Sequence, residues 1–261
     1  MSAGPEAAAP TPREVVELSL LPHGTVPLAH LYDAANLLGV PDQTLRLALR
    51  RLAASGLVEQ HGRGRAGLLT ATAASRRRAA LDEAYWDVAV RQDAGEIVWD
   101  GLWHLVAFSV PEARRADRDR LRGVLARLGA APLAPGLCVS PHDLGPAIEA
   151  ETEGAVRAYL TTAASREVRH GGRPLAALVP ELWPLDDLAA AYGRLLAVTE
   201  AWSDRAGSGD PAAALAAHVA VHAALERALG PDPLLPPELL PPDWPGPAAR
   251  ARVARDWLPG A

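Results

Sequence analysis

Thirty residues from Pro41 to Thr70, PDQTLRLALRRLAASGLVEQHGRGRAGLLT, constrain the fold more than any other part of the chain. Leu45, Ala48, Leu49 and Leu52 recur at 3,4 spacing, which predicts an amphipathic helix from about Asp42 to Ala54. Pro41 stands at its start, where a missing N–H is tolerated, and Gly56 stops it. The following LVEQHGRGRAGLLTATA predicts two short strands around a glycine turn. Upstream, Val15 to Leu21 reads as the end of a first helix and Leu28 to Leu38 as a second, closed by Gly39. Helix, helix, tight turn, helix and β-hairpin is the order of a winged helix-turn-helix.

Charge gathers on the same segment. The 261-residue chain has a formal charge of −5, yet residues 41–80 carry eight arginines against Asp42 and Glu59. A local basic footprint in an acidic protein predicts a polyanion partner for one face only. The polar face of the third helix presents Gln43, Thr44, Arg46, Arg50 and Arg51, side chains whose reach suits base edges in a major groove. Gly62 and Gly64 allow close backbone approach, and Arg63 and Arg65 between and after them give the wing a cationic tip for phosphates. Arg76, Arg77 and Arg78 extend the basic surface or simply begin a further helix. Double-stranded DNA is the partner these residue types predict.

Composition excludes several other classes. Lysine is absent, so a P-loop lacks its phosphate lysine and a pyridoxal-phosphate enzyme lacks its Schiff base. Cys138 is the single cysteine, so no intrachain disulfide forms, and a metal site would draw mainly on histidine and carboxylate. No nucleophile elbow appears, and Cys138 has no adjacent base. No uncharged apolar stretch reaches the roughly 18 residues of a membrane span. MSAGPEAAAPTPR lacks the basic start and apolar middle of a signal peptide. Residues 1–12 therefore read as a disordered lead-in, and the protein as cytoplasmic, nucleoid-associated and without a membrane partner.

The middle of the chain alternates strand and helix. A strand at Trp103 to Val110, a helix from about Arg114 to Leu128, a second strand in GAAPLAPGLCVSP, a helix near Leu144 to Ala150 and a strand near Ala155 to Thr161 give a βαββαβ-like order. Two amphipathic helices follow, Leu185 to Trp202 and Pro211 to Leu229. The tail from Pro231 holds nine of the 24 prolines and is apolar enough to wrap on a neighbouring surface. The expected class is α+β, divided as a winged helix-turn-helix (13–84), a ferredoxin-like central domain (85–180) and a C-terminal helical domain with a proline-rich tail (181–261).

The wing-and-helix segment, then WDGLW at Trp99 to Trp103, then DPLLPPELLPPDWPG from Asp232 to Gly246, in this order and at these separations, resemble the PaaX family of bacterial transcriptional regulators. The resemblance spans nearly the whole chain after the first dozen residues. It implies a Cas2-like central domain, a homodimer, and repression relieved by an acyl-CoA effector, phenylacetyl-CoA or another thioester, with no cofactor. The chain departs from the family in HAALERALGPDP, where His222 is present without a nearby aromatic residue, and in the second wing strand, where Leu68 and Leu69 stand where an aromatic is common.

Residues for other chemistry are few. A Cas2-like nuclease holds its metal on an aspartate ending the first strand, whereas WHLVAFSVP reaches Ser109, and Asp100 precedes the strand beside Gly101, where it suits a turn. His218 and His222 lie four apart on one helix without a third ligand nearby, the pattern of buried, hydrogen-bonded histidines rather than a metal site. Trp99, Trp103 and His222 are the candidates for contact with an effector, the tryptophans also suiting a packing role. A third class, a protein-interaction module that keeps a winged helix without reading DNA, has the same local pattern.

Overall fold

The computed structural model describes residues 9–21, 23–62 and 64–257. Most of the expected lead-in, residues 1–8, lies outside the described residues, but the first helix begins within it. In α1 (Pro12–Leu18) Thr11 Oγ1 accepts the Glu14 N–H at 3.2 Å while the Glu14 carboxylate accepts the Thr11 N–H at 2.6 Å. This reciprocal cap satisfies two helix-end donors and fixes where the helix begins. Then follow β1 (Thr25–Pro27), α2 (Leu28–Leu37), α3 (Asp42–Ala54), β2 (Val58–His61), β3 (Leu68–Ala71) and α4 (Ala73–Asp93). Gly39, at φ +75°, makes the left-handed turn between α2 and α3, and the Asn36 amide donates to Asp42 across it.

The hairpin strands β2 and β3 pair antiparallel, and β1 adds to the far side of β3, giving the sheet order β1-β3-β2. The third strand was not expected: Thr25 to Pro27 are three residues that become a strand only because Thr70, Leu69 and Leu68 lie opposite them. Gly67 opens β3 at a point where a Cβ would stand 2.9 Å from both the His61 carbonyl and Leu28 Cδ1. Only glycine lets the strand return so close to α2.

The central segment is β4 (Trp103–Phe108), α5 (Arg115–Arg127), β5 (Ala131–Ala134), β6 (Leu137–Ser140), α6 (Gly145–Thr152) and β7 (Leu160–Ser165). All neighbours are antiparallel in the order β5-β6-β4-β7, the ferredoxin-like arrangement. The last strand lies later than the Ala155 to Thr161 expected; a left-handed Glu153, Gly154 and a 3₁₀ turn at Arg157–Tyr159 occupy that stretch instead. One face of the sheet buries Val106 with Leu121, Val124 and Ile148 of the two helices. The other buries Trp103 and Val139 with Leu175, Trp183 and Leu235. A short hairpin, β8 (Arg169–His170) and β9 (Arg173–Pro174), and the helix α7 (Val179–Leu182) complete this face.

The C-terminal part contains α8 (Leu185–Ala206), α9 (Pro211–Leu229) and α10 (Gly246–Trp257). Packing divides the molecule into two units. One unit joins the chain up to Arg91 with Ala190–Ala228 and the residues from Pro245; the other joins Gln92–Ala189 with Leu229–Trp244. In the first, Ala216, Val219 and Ala223 of α9 lie in one core with Val15, Leu31, Leu45 and Leu69, and Val198 and Trp202 of α8 pack against it. Arg227 reaches Glu14 at 3.0 Å on the same unit. In the second unit the proline-rich strap is pinned at several points. Gln92 donates to the Leu235 carbonyl at 3.0 Å, His142 Nε2 meets the Leu234 carbonyl at 2.9 Å, and Asp232 accepts the Leu234 N–H.

Candidate nucleic-acid interface

The apolar stripe of α3 seats Leu45, Leu49 and Leu52 in the core, which leaves the opposite face to solvent. Gln43, Thr44, Arg46, Arg50 and Arg51 are all exposed on it. The helix sits beside the hairpin, and between them runs an open groove of about 630 Å³ lined by Arg46 and Arg50 of α3, Gln60, Gly64 and Arg65 of the hairpin and Tyr32 of α2. Three of the expected arginines, Arg46, Arg50 and Arg65, therefore converge on one groove. Gln43, Thr44 and Arg51 lie on the exposed helix face outside its lining, and Arg63 lies outside the described residues.

The hairpin tip has a constraint that its glycine-rich sequence did not suggest. A 3₁₀ turn at Gly64–Ala66 aims Arg65 back at α2, where it pairs with Asp33 and lies 5.8 Å over the Tyr32 ring. The hydrogen bond with Asp33 holds the Arg65 pKa above its ordinary value. Arg46 has a looser tie to Asp42, one turn away at 3.6 Å. Arg50 and Arg51 have no ion-pair partner among the described residues. Half-exposed pairs of this kind are weak enough for a phosphate to compete for the guanidinium. Arg76, by contrast, lies in the first turn of α4 and donates to the Ala71 carbonyl at 2.6 Å, in line with the helix-start role.

The effector candidates do not gather at one place. Trp103 is 3% exposed, edge-on to Trp99 at 5.3 Å and stacked on Trp183 at 6.3 Å, so it is a core side chain of the second unit. Trp99 donates to the Leu102 carbonyl and lines a cavity of about 340 Å³ with Asp100, His104, His142 and Pro236. Asp100 accepts the Leu102 N–H at 2.9 Å, beside Gly101 at φ +79°, and so fixes the turn before β4. His222 is buried in the first unit, its Nδ1 3.0 Å from the His218 carbonyl and its ring 3.9 Å from that of His218. Burial, and then the neighbouring His222, push the His218 pKa down to about 3, and burial also lowers that of His222. Both imidazoles are neutral at pH 7. No group of three or more metal-ligating side chains comes together among the described residues.

A ferredoxin-like sheet crossed by a proline-rich strap, with a helix and hairpin framing a basic groove, narrows the class of protein. The sequence profile of the PaaX protein central Cas2-like domain matches residues 96–177, and that of the PaaX-like protein C-terminal domain matches residues 183–256. The chain belongs to the PaaX family. Among solved structures, the uncharacterized protein Rv0674 from Mycobacterium tuberculosis is similar in fold, with 24% identity, a TM-score of 0.60, and 94% of this chain and 93% of that one covered. No curated protein matched the sequence.

Proposed function

We propose that this chain is a DNA-binding transcriptional repressor of the PaaX type, acting as a twofold dimer and released from its operator by an acyl-CoA-like effector. The observation that carries the reading is the convergence of Arg46, Arg50 and Arg65 on one open groove between helix and hairpin. Arg46 and Arg50 are one turn apart, and side chains so placed on a helix in a major groove can each take a guanine edge. Arg65 sits at the groove wall, where it would meet phosphate and add affinity more than sequence choice. A twofold dimer would set two such helices about 34–36 Å apart and read an inverted repeat.

The effector part of the proposal rests on family membership and on the cavity beside Trp99. Its indole and proline walls suit an apolar acyl group, whereas Asp100 and Asp143 would repel the phosphates of coenzyme A, which must then lie outside. An effector bound there would act by favouring a geometry in which the paired helices no longer match the operator.

Selection of bound duplexes from a random pool, with and without phenylacetyl-CoA and other acyl-CoAs, tests both parts. An inverted repeat that is lost when a thioester is added supports the proposal. Arg46→Ala combined with Arg50→Ala should lower operator affinity by at least about tenfold while circular dichroism stays unchanged. Normal operator binding by that double variant would overturn the recognition-helix assignment, whereas failure of the unaltered chain to select any duplex would favour an interaction module that has kept only the shape of a DNA-binding domain.

A further inference from the structure

The exposed face of α3 holds one large side chain that carries neither a charge nor a hydrogen-bonding group. At about 100° per residue, Leu47 stands within about 15° of the direction opposite the buried stripe of Leu45, Leu49 and Leu52. It is therefore the crest of the helix. Its side chain is 41% exposed and takes no part in the core of its own unit. Gln43 lies one turn before it, Arg51 one turn after it, and Arg46 and Arg50 flank it. All four of these neighbours are exposed.

Helix stability does not account for a leucine there. Leucine is no better a helix former than arginine or glutamine, so at a position outside the core it gains nothing over the residues around it. Single exposed leucines are ordinary on protein surfaces; what sets this one apart is its place at the most prominent point of a cationic helix. A helix that lies in a major groove turns the face opposite its core toward the base edges, and on α3 that face is centred on Leu47. Those edges offer donors, acceptors and one apolar group, the 5-methyl of thymine. Pressing a leucine on the donors and acceptors would strip them of water at a cost. Closing it on a methyl group removes apolar surface from water on both sides. 5-Methylcytosine carries the same group at the same place.

We propose that Leu47 is a specificity-determining residue, which reads a pyrimidine 5-methyl group in each half of the operator beside the guanines taken by Arg46 and Arg50. This rests on the DNA reading above and adds to it a base that no arginine can choose. Burying one methyl group in such a contact changes affinity about fourfold.

The test uses the full chain and the duplexes that it selects from a random pool. Each thymine of a selected duplex is replaced in turn by deoxyuridine, which removes the methyl group and nothing else, and affinity is read by mobility shift. One position in each half-site should lose about fourfold. Cytosine and 5-methylcytosine are compared in the same way. A loss on deoxyuridine names thymine as the source of the methyl group, and a gain from cytosine to 5-methylcytosine without that loss names the methylated base; either supports the proposal. Leu47→Ala and Leu47→Gln should bind the methylated and unmethylated duplexes with near-equal affinity, their circular dichroism unchanged. Folded variants that keep the full discrimination, even with weaker binding throughout, would overturn the proposal. Selected duplexes that are indifferent to every methyl group would overturn it alone and leave the DNA reading standing, whereas an unaltered chain that selects no duplex would overturn both.

Discussion

The guanidinium of Arg65, at the end of the hairpin, is held by the carboxylate of Asp33 on the second helix, 32 positions earlier in the chain. A groove wall expected to be a loose cationic tip is thereby tied to the body of the domain. On the proposed DNA reading a phosphate must replace Asp33 as the partner of Arg65, and Asp33 itself repels phosphate. Asp33→Asn should therefore bind duplex DNA about two- to fivefold more tightly at low salt, and Arg65→Ala should bind more weakly. Mobility-shift titrations at two salt concentrations check both directions. A decrease for Asp33→Asn would mean that its role is to position the arginine rather than to compete for it.

The stacked pair His218 and His222 predicts acid sensitivity. Both folded-state pKa values are depressed, so the unfolded chain binds more protons than the folded one as pH falls below about 6.5. The stability that neutral His218 allows is complete above that pH and is lost progressively toward pH 3, at up to about 1.4 kcal/mol per pH unit, and His222 adds a loss in the same direction. His23 lies close enough to His218 to disfavour its charged form further. Thermal melts of His218→Asn between pH 7.5 and 4 should fall with a shallower slope than those of the unaltered chain. Parallel slopes would show that other groups control acid unfolding.

Gly129 and Gly193 should respond oppositely to alanine. A Cβ on Gly129, at φ +72°, would lie 2.6 Å from Pro233 Cβ and 2.8 Å from its Cα. Gly129→Ala should cost about 1–3 kcal/mol through that clash with the strap and the strained backbone. Gly193 lies within α8 with nothing inside 4 Å, so Gly193→Ala should stabilise by up to about 1 kcal/mol. Denaturant titrations that shift both midpoints the same way would contradict this contrast.

The tryptophans of WDGLW should also separate. Trp103, enclosed between Trp99 and Trp183, should cost about 3–5 kcal/mol when changed to alanine. Trp99 lines an open cavity, and Trp99→Ala should cost less; on the proposed effector reading it should also weaken thioester binding. Chemical denaturation and fluorescence titration of the two variants distinguish the roles.

Local pattern made α3 legible, because Leu45, Leu49 and Leu52 bury one face while polar residues fill the other, and its bounds match the expected ones. Glycines at 39 and 56 marked its neighbours correctly for the same reason. What local pattern could not convey is pairing at a distance. Thr25 to Pro27 become strand through Leu68 to Thr70, and Arg65 is tied by an aspartate from another helix. β7 was misplaced because an edge exposed on both faces has no alternation to read. The Thr11 and Glu14 cap, by contrast, was present in the sequence as a T-x-x-E signature and was absorbed into the expected lead-in.

Because Ala216, Val219 and Ala223 close the core that Val15, Leu31 and Leu45 begin, the groove-bearing domain is not finished when its own segment has been made. During synthesis the first ninety residues leave the ribosome with an apolar face still waiting for a helix more than a hundred residues behind them. A fragment ending near Arg91 should thus be sticky and poorly folded, and grafting this groove-bearing domain onto another protein would require carrying α9 with it.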